Sequence, residues 1–260
     1  DYLDLSSIRG TLIRLEDTIL FGLIERAQFK RNSAVYKDDA DFLQGTGISM
    51  GFTKYLLEET EKIQSKARRY TSPDEKPFTQ RDRLPPPVLP ALTVTEDLKP
   101  LQRIDVNINP QILSLYVDRI IPSICKEGDD GQYGSTAVCD IQILQALSKR
   151  IHYGTFVAES KFRSQPEEYT RLIHAKDRDG IMALLTNQAV EDQVVKRVQL
   201  KATAYGKEIT DDKSLALGAP MSEDELKQFK VNPALMGDLY RDVIIPLTKD
   251  VEVEYLMQRA

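Results

Sequence analysis

Cysteine and histidine are scarce, with two of each in 260 residues. Cys125 and Cys139 give no disulfide framework, and no CxxC pair exists to hold a metal. With only His152 and His174, a histidine-rich metal site is excluded as well. Free thiols suit a reducing compartment, so a cytoplasmic protein is the expectation. A basic excess is also missing: the net charge is -5 and the pI about 5.3. That excludes broad nucleic-acid binding, which needs a basic face. No apolar run approaches the ~20 residues of a membrane span. The opening DYLDLSSIRG has neither the basic start nor the apolar core of a secretory signal. The chain starts at Asp1 rather than Met, so an exported form that has lost a leader stays open. A glycine-rich phosphate loop and a nucleophile–base pair are absent too.

What is present is helical periodicity. The stretch 141–163, IQILQALSKRIHYGTFVAESKFR, reads as one long central helix. Ile141, Leu144, Leu147, Ile151 and Ala158 form its buried stripe. Arg150 and Lys161 lie only ~20° apart around its axis and ~16 Å apart along it. Gly154 stands between them. A mid-helix glycine costs roughly 1 kcal/mol against alanine and so needs a reason. Close approach of a ligand or of another helix supplies one. Two cations flanking a small residue suit an anion; a packed helix with solvated charges is the plainer alternative.

Other segments follow the same period. Residues 5–28 carry a stripe from Leu5 to Leu23, with Ser6 or Ser7 as cap, and Arg9, Arg14 and Arg26 read individually as solvated charges. A helix over 52–70 ends with Lys66, Arg68 and Arg69, either favourable at the negative end of its dipole or suited to an anion. Residues 32–51 read as a loop, and 81–109 as a long proline-heavy connection. Neither marks a domain boundary, so one domain spans 1–260. Residues 110–126 are helical, with Pro122 kinking or ending the element. After the acidic turn EGDDGQYG, Ser135 can cap the central helix, and the Gly134 and Ser135 amides suit a carboxylate. A helix over 165–175, one or two over 177–204 and a last one over 233–258 complete the chain, and 207–232 reads as irregular. One echo stands out: Leu115-Tyr116-x-Asp118-x-Ile120-Ile121-Pro122 returns as Leu239-Tyr240-x-Asp242-x-Ile244-Ile245-Pro246. It reads either as an old duplication or as one packing problem solved twice. The best strand signal, VLPALTV over 88–94, is demoted by its prolines. The expected fold is all-α, a bundle of about ten to twelve helices around the long central one.

Polar groups interrupt apolar faces on four helices: Arg9; Arg150 and Lys161; Asn187 and Glu191; Thr248 and Glu252. Within each of the last two pairs the residues are four apart, hence on one face. A bundle can bring four such faces together. The product is a small dry volume with three cations, two carboxylates, an amide and a hydroxyl, able to bind a small dianion and shift charge within it.

The runs IRGTLIRLEDTILF (8–21), RRYTSPDEKPF (68–78), YGSTAVCD (133–140), ALSKRIHYGTFVAESKF (146–162) and IPLTKDVEVEYLMQR (245–259) stand in one order over nearly the whole chain. Together they closely resemble the all-helical, eukaryotic-type chorismate mutases of the AroQ class. The resemblance implies conversion of chorismate to prephenate by an intramolecular [3,3] rearrangement in phenylalanine and tyrosine biosynthesis. It implies no cofactor, no metal and no covalent intermediate, and a homodimer. By the matching motifs, Arg9 and Arg150 would pair the substrate carboxylates, and Asn187 and Thr248 would complete those contacts. Lys161 and a protonated Glu252 would face the ether oxygen, and Glu191 would hold the hydroxyl. Activity should therefore fall as pH rises through the titration of Glu252.

The resemblance also implies feedback by tyrosine or tryptophan at a dimer-interface site, with Arg68, Arg69, Gly134 and Ser135 at its motif positions and Asp17 nearby. Here Gln132 stands in place of the usual asparagine and Val138 in place of the usual threonine. A lost hydrogen bond of this kind costs ~1–3 kcal/mol, so a weakened or absent effector response is expected. Thr155 replaces a common lysine, at an expected surface position. The alternative to an active mutase is a mutase-derived, exported interaction protein working through its binding surface.

Overall fold

The computed structural model describes residues 3–91, 93, 95–206 and 229–259. Most of the stretch expected to be irregular, 207–228, lies outside the described residues, as do Leu92 and Val94 of the strand signal. Among the described residues there is no strand, and no helix is long and apolar enough to cross a membrane.

Two long helices form the spine: α1 (Leu5–Arg26) and α6 (Tyr133–His152). They approach closely at Gly22, where a Cβ would stand 2.7 Å from Cγ1 of Ile143. Ile8, Ile19 and Leu23 of α1, with Ile141, Leu144 and Leu147 of α6, are buried in this seam. Each contributes roughly 1.5–3 kcal/mol relative to exposure. The cap of α1 is Asp4, which accepts from the amides of Ser6 and Ser7, rather than either serine. A carboxylate outcompetes a hydroxyl at the positive end of a helix.

Around the spine lie α2 (Phe52–Lys66), α3 (Lys99–Arg103), α4 (Asn109–Leu115), α5 (Ile121–Ile124), α7 (Gly154–Ser164), α8 (Pro166–His174), α9 (Arg178–Leu185), α10 (Gln188–Gly206), α11 (Pro233–Leu239) and α12 (Ile245–Met257). The expected central helix is thus two: it hitches at Tyr153 and continues as α7. The helix expected over 52–70 stops at Lys66, and Arg68 takes a left-handed conformation, φ 69°. Ser135 lies inside the first turn of α6 and is no cap; Gln132 precedes the helix.

The sequence echo has a structural meaning. Tyr116–Ile120 joins α4 to α5 as one π-turn, and Tyr240–Ile244 joins α11 to α12 as another. Each contains the i→i−5 bond, from Ile121 N–H to Tyr116 O and from Ile245 N–H to Tyr240 O. Proline lacks the N–H and its ring crowds the carbonyl four residues back. The wider π-turn just ahead of Pro122 and Pro246 accommodates this, so the element continues past Pro122 to Ile124.

The proline-heavy connection is pinned to the bundle. Buried Glu61 accepts from the amides of Phe78 and Thr79, and Asn109 donates to Lys76 O. His152 is fully buried; its Nδ1 faces Ser148 O at 2.8 Å and its Nε2 accepts from Ile108 N–H at 3.0 Å.

Arg26 overturns its reading as a solvated charge. It is fully buried, 2.8 Å from Asp140, and donates to the carbonyls of Lys30 and Arg31. Tyr36 and Tyr116 donate to the same carboxylate, each at 2.7 Å. Every oxygen and most of the guanidinium are satisfied, as burial of a charge pair requires.

Candidate functional site

The junction of α6 and α7 faces α12. A Cβ on Gly154 would stand 2.8 Å from Thr248 O and 3.2 Å from Cγ of Glu252. The glycine is therefore there for a helix–helix approach, one of the two reasons the sequence left open. The approach brings side chains from both helices together. Arg150 is buried and Nη1 donates to Oγ1 of Thr248 at 3.4 Å. Thr248 in turn donates to Ile244 O within its own helix. Lys161 Nζ lies 4.0 Å from Oε2 of Glu252 and donates to Leu185 O.

Arg9 of α1 joins this group. It lines a cavity of about 200 Å³ with Arg150, Glu16 and Arg197, walled by Leu12 and Val194. Arg9 is exposed, whereas Arg150 is 5 % exposed. Nε of Arg150 and Oη of Tyr240 are both buried without a hydrogen-bond partner in the protein. An unsatisfied buried donor costs about 1–3 kcal/mol, and of the two groups Arg150 is the one that lines the cavity.

Glu252 is the perturbed group. It is 6 % exposed, and burial pushes its carboxyl up to about 7 against the opposing pull of Lys161 and Arg150. Glu191 adds to the rise and Lys249 subtracts from it. Glu191 itself is half-buried and paired with Lys249 at 3.2 Å. Asn187 is exposed; its side chain accepts from Val190 N–H and closes the start of α10.

Glu16, Arg197, Lys201, Lys249 and Tyr240 were not picked out as site residues. Glu16 is fully buried, held bidentately by Arg197 and also by Lys201. The available signal was the spacing of Arg197 and Lys201, four apart on one face of α10, and of Arg9 and Glu16 on α1. Thr155 corrects an expectation: it is 3 % exposed rather than at the surface, and its hydroxyl returns to His152 O.

The residues expected at an effector site do not meet within the chain. Arg69 pairs with Glu75 at 2.9 Å and donates to Gln145, while Arg68 donates to Pro90 O. Gly134 and Ser135 are exposed at the start of α6, ten or more residues from Gln145, hence ~15 Å along the helix. Asp17 pairs with Lys201. An open cleft of about 630 Å³ lies between α1 and α6, with Arg69, Glu75 and Lys149 on one side and half-exposed Phe21 on the other.

An all-helical bundle that gathers cations around a buried carboxyl raised to about 7 is an arrangement suited to a small dianion. Comparison narrows the class. The family model described as "Chorismate mutase type II" matches residues 132–253. Chorismate mutase 2 of Petunia hybrida is 47% identical over 262 residues, covering 100% of this chain and 94% of the relative. Chorismate mutase of Schizosaccharomyces pombe is 44% identical over 259 residues, covering 99% and 96%. The crystal structure of AtCM1 with tyrosine bound in its allosteric site superposes with a TM-score of 0.86 at 44% identity, covering 100% of this chain and 97% of the other. Aro7p chorismate mutase from Candida albicans, in complex with L-Trp, gives 0.87 at 40% identity, covering 99% and 92%. The chain belongs to the chorismate mutase family.

Proposed function

We propose that the cavity lined by α1, α6 and α10, together with the Lys161–Glu252 pair of α7 and α12 beyond Arg150, converts chorismate to prephenate with no covalent intermediate. The observation that carries this is Glu252, buried with its carboxyl raised to about 7 and 4.0 Å from Lys161. The substrate has two carboxylates, a hydroxyl and an ether oxygen. In the rearrangement the ether C–O bond breaks as a C–C bond forms, and negative charge builds on the ether oxygen. Lys161 and protonated Glu252 are two donors suited to that oxygen. Arg9 and Arg150 fit the carboxylates, since a guanidinium fork binds them bidentately. The unpartnered Nε of Arg150 supports that role. Thr248, on Arg150, and Asn187 complete the carboxylate contacts, and Glu191 takes the hydroxyl. Holding the folded conformer supplies much of the remaining rate enhancement.

Chorismate consumption and prephenate formation by wild type and Arg150→Ala test the reading. Wild type should turn over, and the variant should lose about 10²–10³-fold in kcat/KM. An inactive wild type would leave the interaction protein as the better account.

The separation of Arg68 and Arg69 from Gly134 and Ser135 within the chain supports a homodimer. An effector site made of all four, with Asp17 nearby, requires a second chain. The tyrosine-, phenylalanine- and tryptophan-bound relatives support such a site for an aromatic amino acid. Val138, 49 % exposed on α6, offers it no hydrogen bond, which supports a weakened response. Turnover with and without tyrosine and tryptophan checks this: tight inhibition by tyrosine is the opposing result, and Val138→Thr should strengthen whatever response exists. Unpaired Cys125 and Cys139 favour a reducing compartment, here the cytoplasm. Some relatives are chloroplastic, and plastid import of a tagged full-length protein would move the assignment there.

A further inference from the structure

Lys161 and Glu252 are held at 4.0 Å without a hydrogen bond between them, and Lys161 keeps 28 % of its side chain exposed. Lys161 donates instead to Leu185 O at the end of α9, so the spacing is set by that bond together with how α7 lies on α12. Gly154 fixes one point of that register. A second lies beyond the pair, at Glu159. This carboxylate is fully buried and accepts from Tyr255 at 2.7 Å, from Arg259 at 2.7 and 3.2 Å, and from Arg163 at 3.0 Å. Tyr255 is one turn from Glu252 on α12, and Glu159 is two residues from Lys161 on α7. The Arg259 guanidinium also lies over the Phe162 ring, 4.7 Å from its centroid. Arg163 extends the cluster to Asp97 and its carbonyl, tying in the turn before α3. None of these side chains lines the cavity.

We infer that Glu159, through Tyr255 and Arg259, is a positioning residue that sets the distance between Lys161 and Glu252. The inference rests on the mutase reading above. A charge-assisted clasp suits the task because three donors on one carboxylate fix direction as well as distance. Loss of one donor lets α7 shift and admits water to Glu252. The groups facing Glu252 are Lys161 of α7, Arg150 of α6, Glu191 of α10, Lys249 of α12 and Tyr169 of α8. None changes identity in the test, so any movement of the pH profile reports their geometry or solvent access.

Tyr255→Phe removes one hydroxyl. Tyr36→Phe removes the same kind of bond from the Asp140 cluster, ten residues down α6 from Arg150, and serves as the structural control. In the full chain, Tyr255→Phe should lower kcat about ten- to a hundredfold with KM changed less than about threefold. The alkaline fall of kcat should also move to lower pH, because water at Glu252 weakens the burial that raises it. Tyr36→Phe should lower the melting temperature while leaving kcat and the profile in place. Should Tyr255→Phe fail to fold, Arg259→Gln gives the same comparison with the tyrosine bond kept. An active wild type whose clasp variant matches it in either kcat or profile overturns the inference alone. A wild type that does not consume chorismate overturns the functional reading, and this inference with it.

Discussion

Gly154 and Thr248 meet backbone to backbone: the Cβ that Gly154 lacks would stand 2.8 Å from the Thr248 carbonyl oxygen. In an open helix, Gly→Ala gains roughly 1 kcal/mol from propensity. Here the contact is with backbone, which cannot swing aside, so α7 and α12 must part. Gly154→Ala should lower the melting temperature and cut chorismate turnover about tenfold or more. Thermal unfolding and steady-state kinetics on the purified variant check both.

Glu252 gives a pH dependence with a defined sign. Its folded carboxyl titrates near 7, above the ordinary glutamate range. Below that the proton needed at the ether oxygen is in place; above it the rate should fall. Stability moves the same way, because a raised carboxyl favours the folded state least once it must ionise. Glu252→Gln should flatten the rate profile between about pH 6 and 9 and should be more stable than wild type at pH 8, by up to about 3 kcal/mol. A rate that still falls over the same range in the glutamine variant removes the assignment.

His152 has the opposite charge logic. Burial holds it at about 4, well below 6.5, as a neutral ring between Ser148 O and the Ile108 amide. The unfolded chain takes up this proton first. The stability it contributes is whole above about pH 6.5 and is lost as pH falls toward 4, amounting to about 3 kcal/mol. Urea denaturation at several pH values should show a shallower acid decline for His152→Gln than for wild type.

Arg26 and Asp140 are a buried pair whose halves cannot be removed singly. Arg26→Ala should cost about 3–5 kcal/mol, since it strands the Asp140 carboxylate. Asp140→Asn, which keeps the tyrosine hydrogen bonds possible, should cost less. Denaturant midpoints of the two variants give the comparison.

The helices themselves were legible because their signal is local. The stripe of α6 and the Ile8, Ile19 and Leu23 part of the α1 stripe could be read residue by residue, and Gly154 declared itself by sitting where helix propensity opposes it. The boundaries were less so. The hitch at Tyr153 falls where the apolar stripe continues, and α2 ends at Lys66 just before Arg68 takes its left-handed conformation. The Pro122 and Pro246 echo was visible as a pattern, but not as a pair of π-turns. Of the seven residues brought forward for the site, Arg9, Arg150, Lys161, Glu191, Thr248 and Glu252 fall around one region, while Asn187 is engaged in closing its own helix.

The sequence alone determined an all-helical chain, its apolar faces, and the set of polar residues that break them, because 3.6-residue periodicity is written within each segment. Tertiary structure alone decided which of those charges leave water. Arg26 finds Asp140 at a separation of 114 residues, and Arg197 finds Glu16 at 181. The rise of the Glu252 carboxyl exists only where α6, α7 and α12 close over it. Burial and pairing are properties of what packs against a side chain, and no spacing along one helix carries that information.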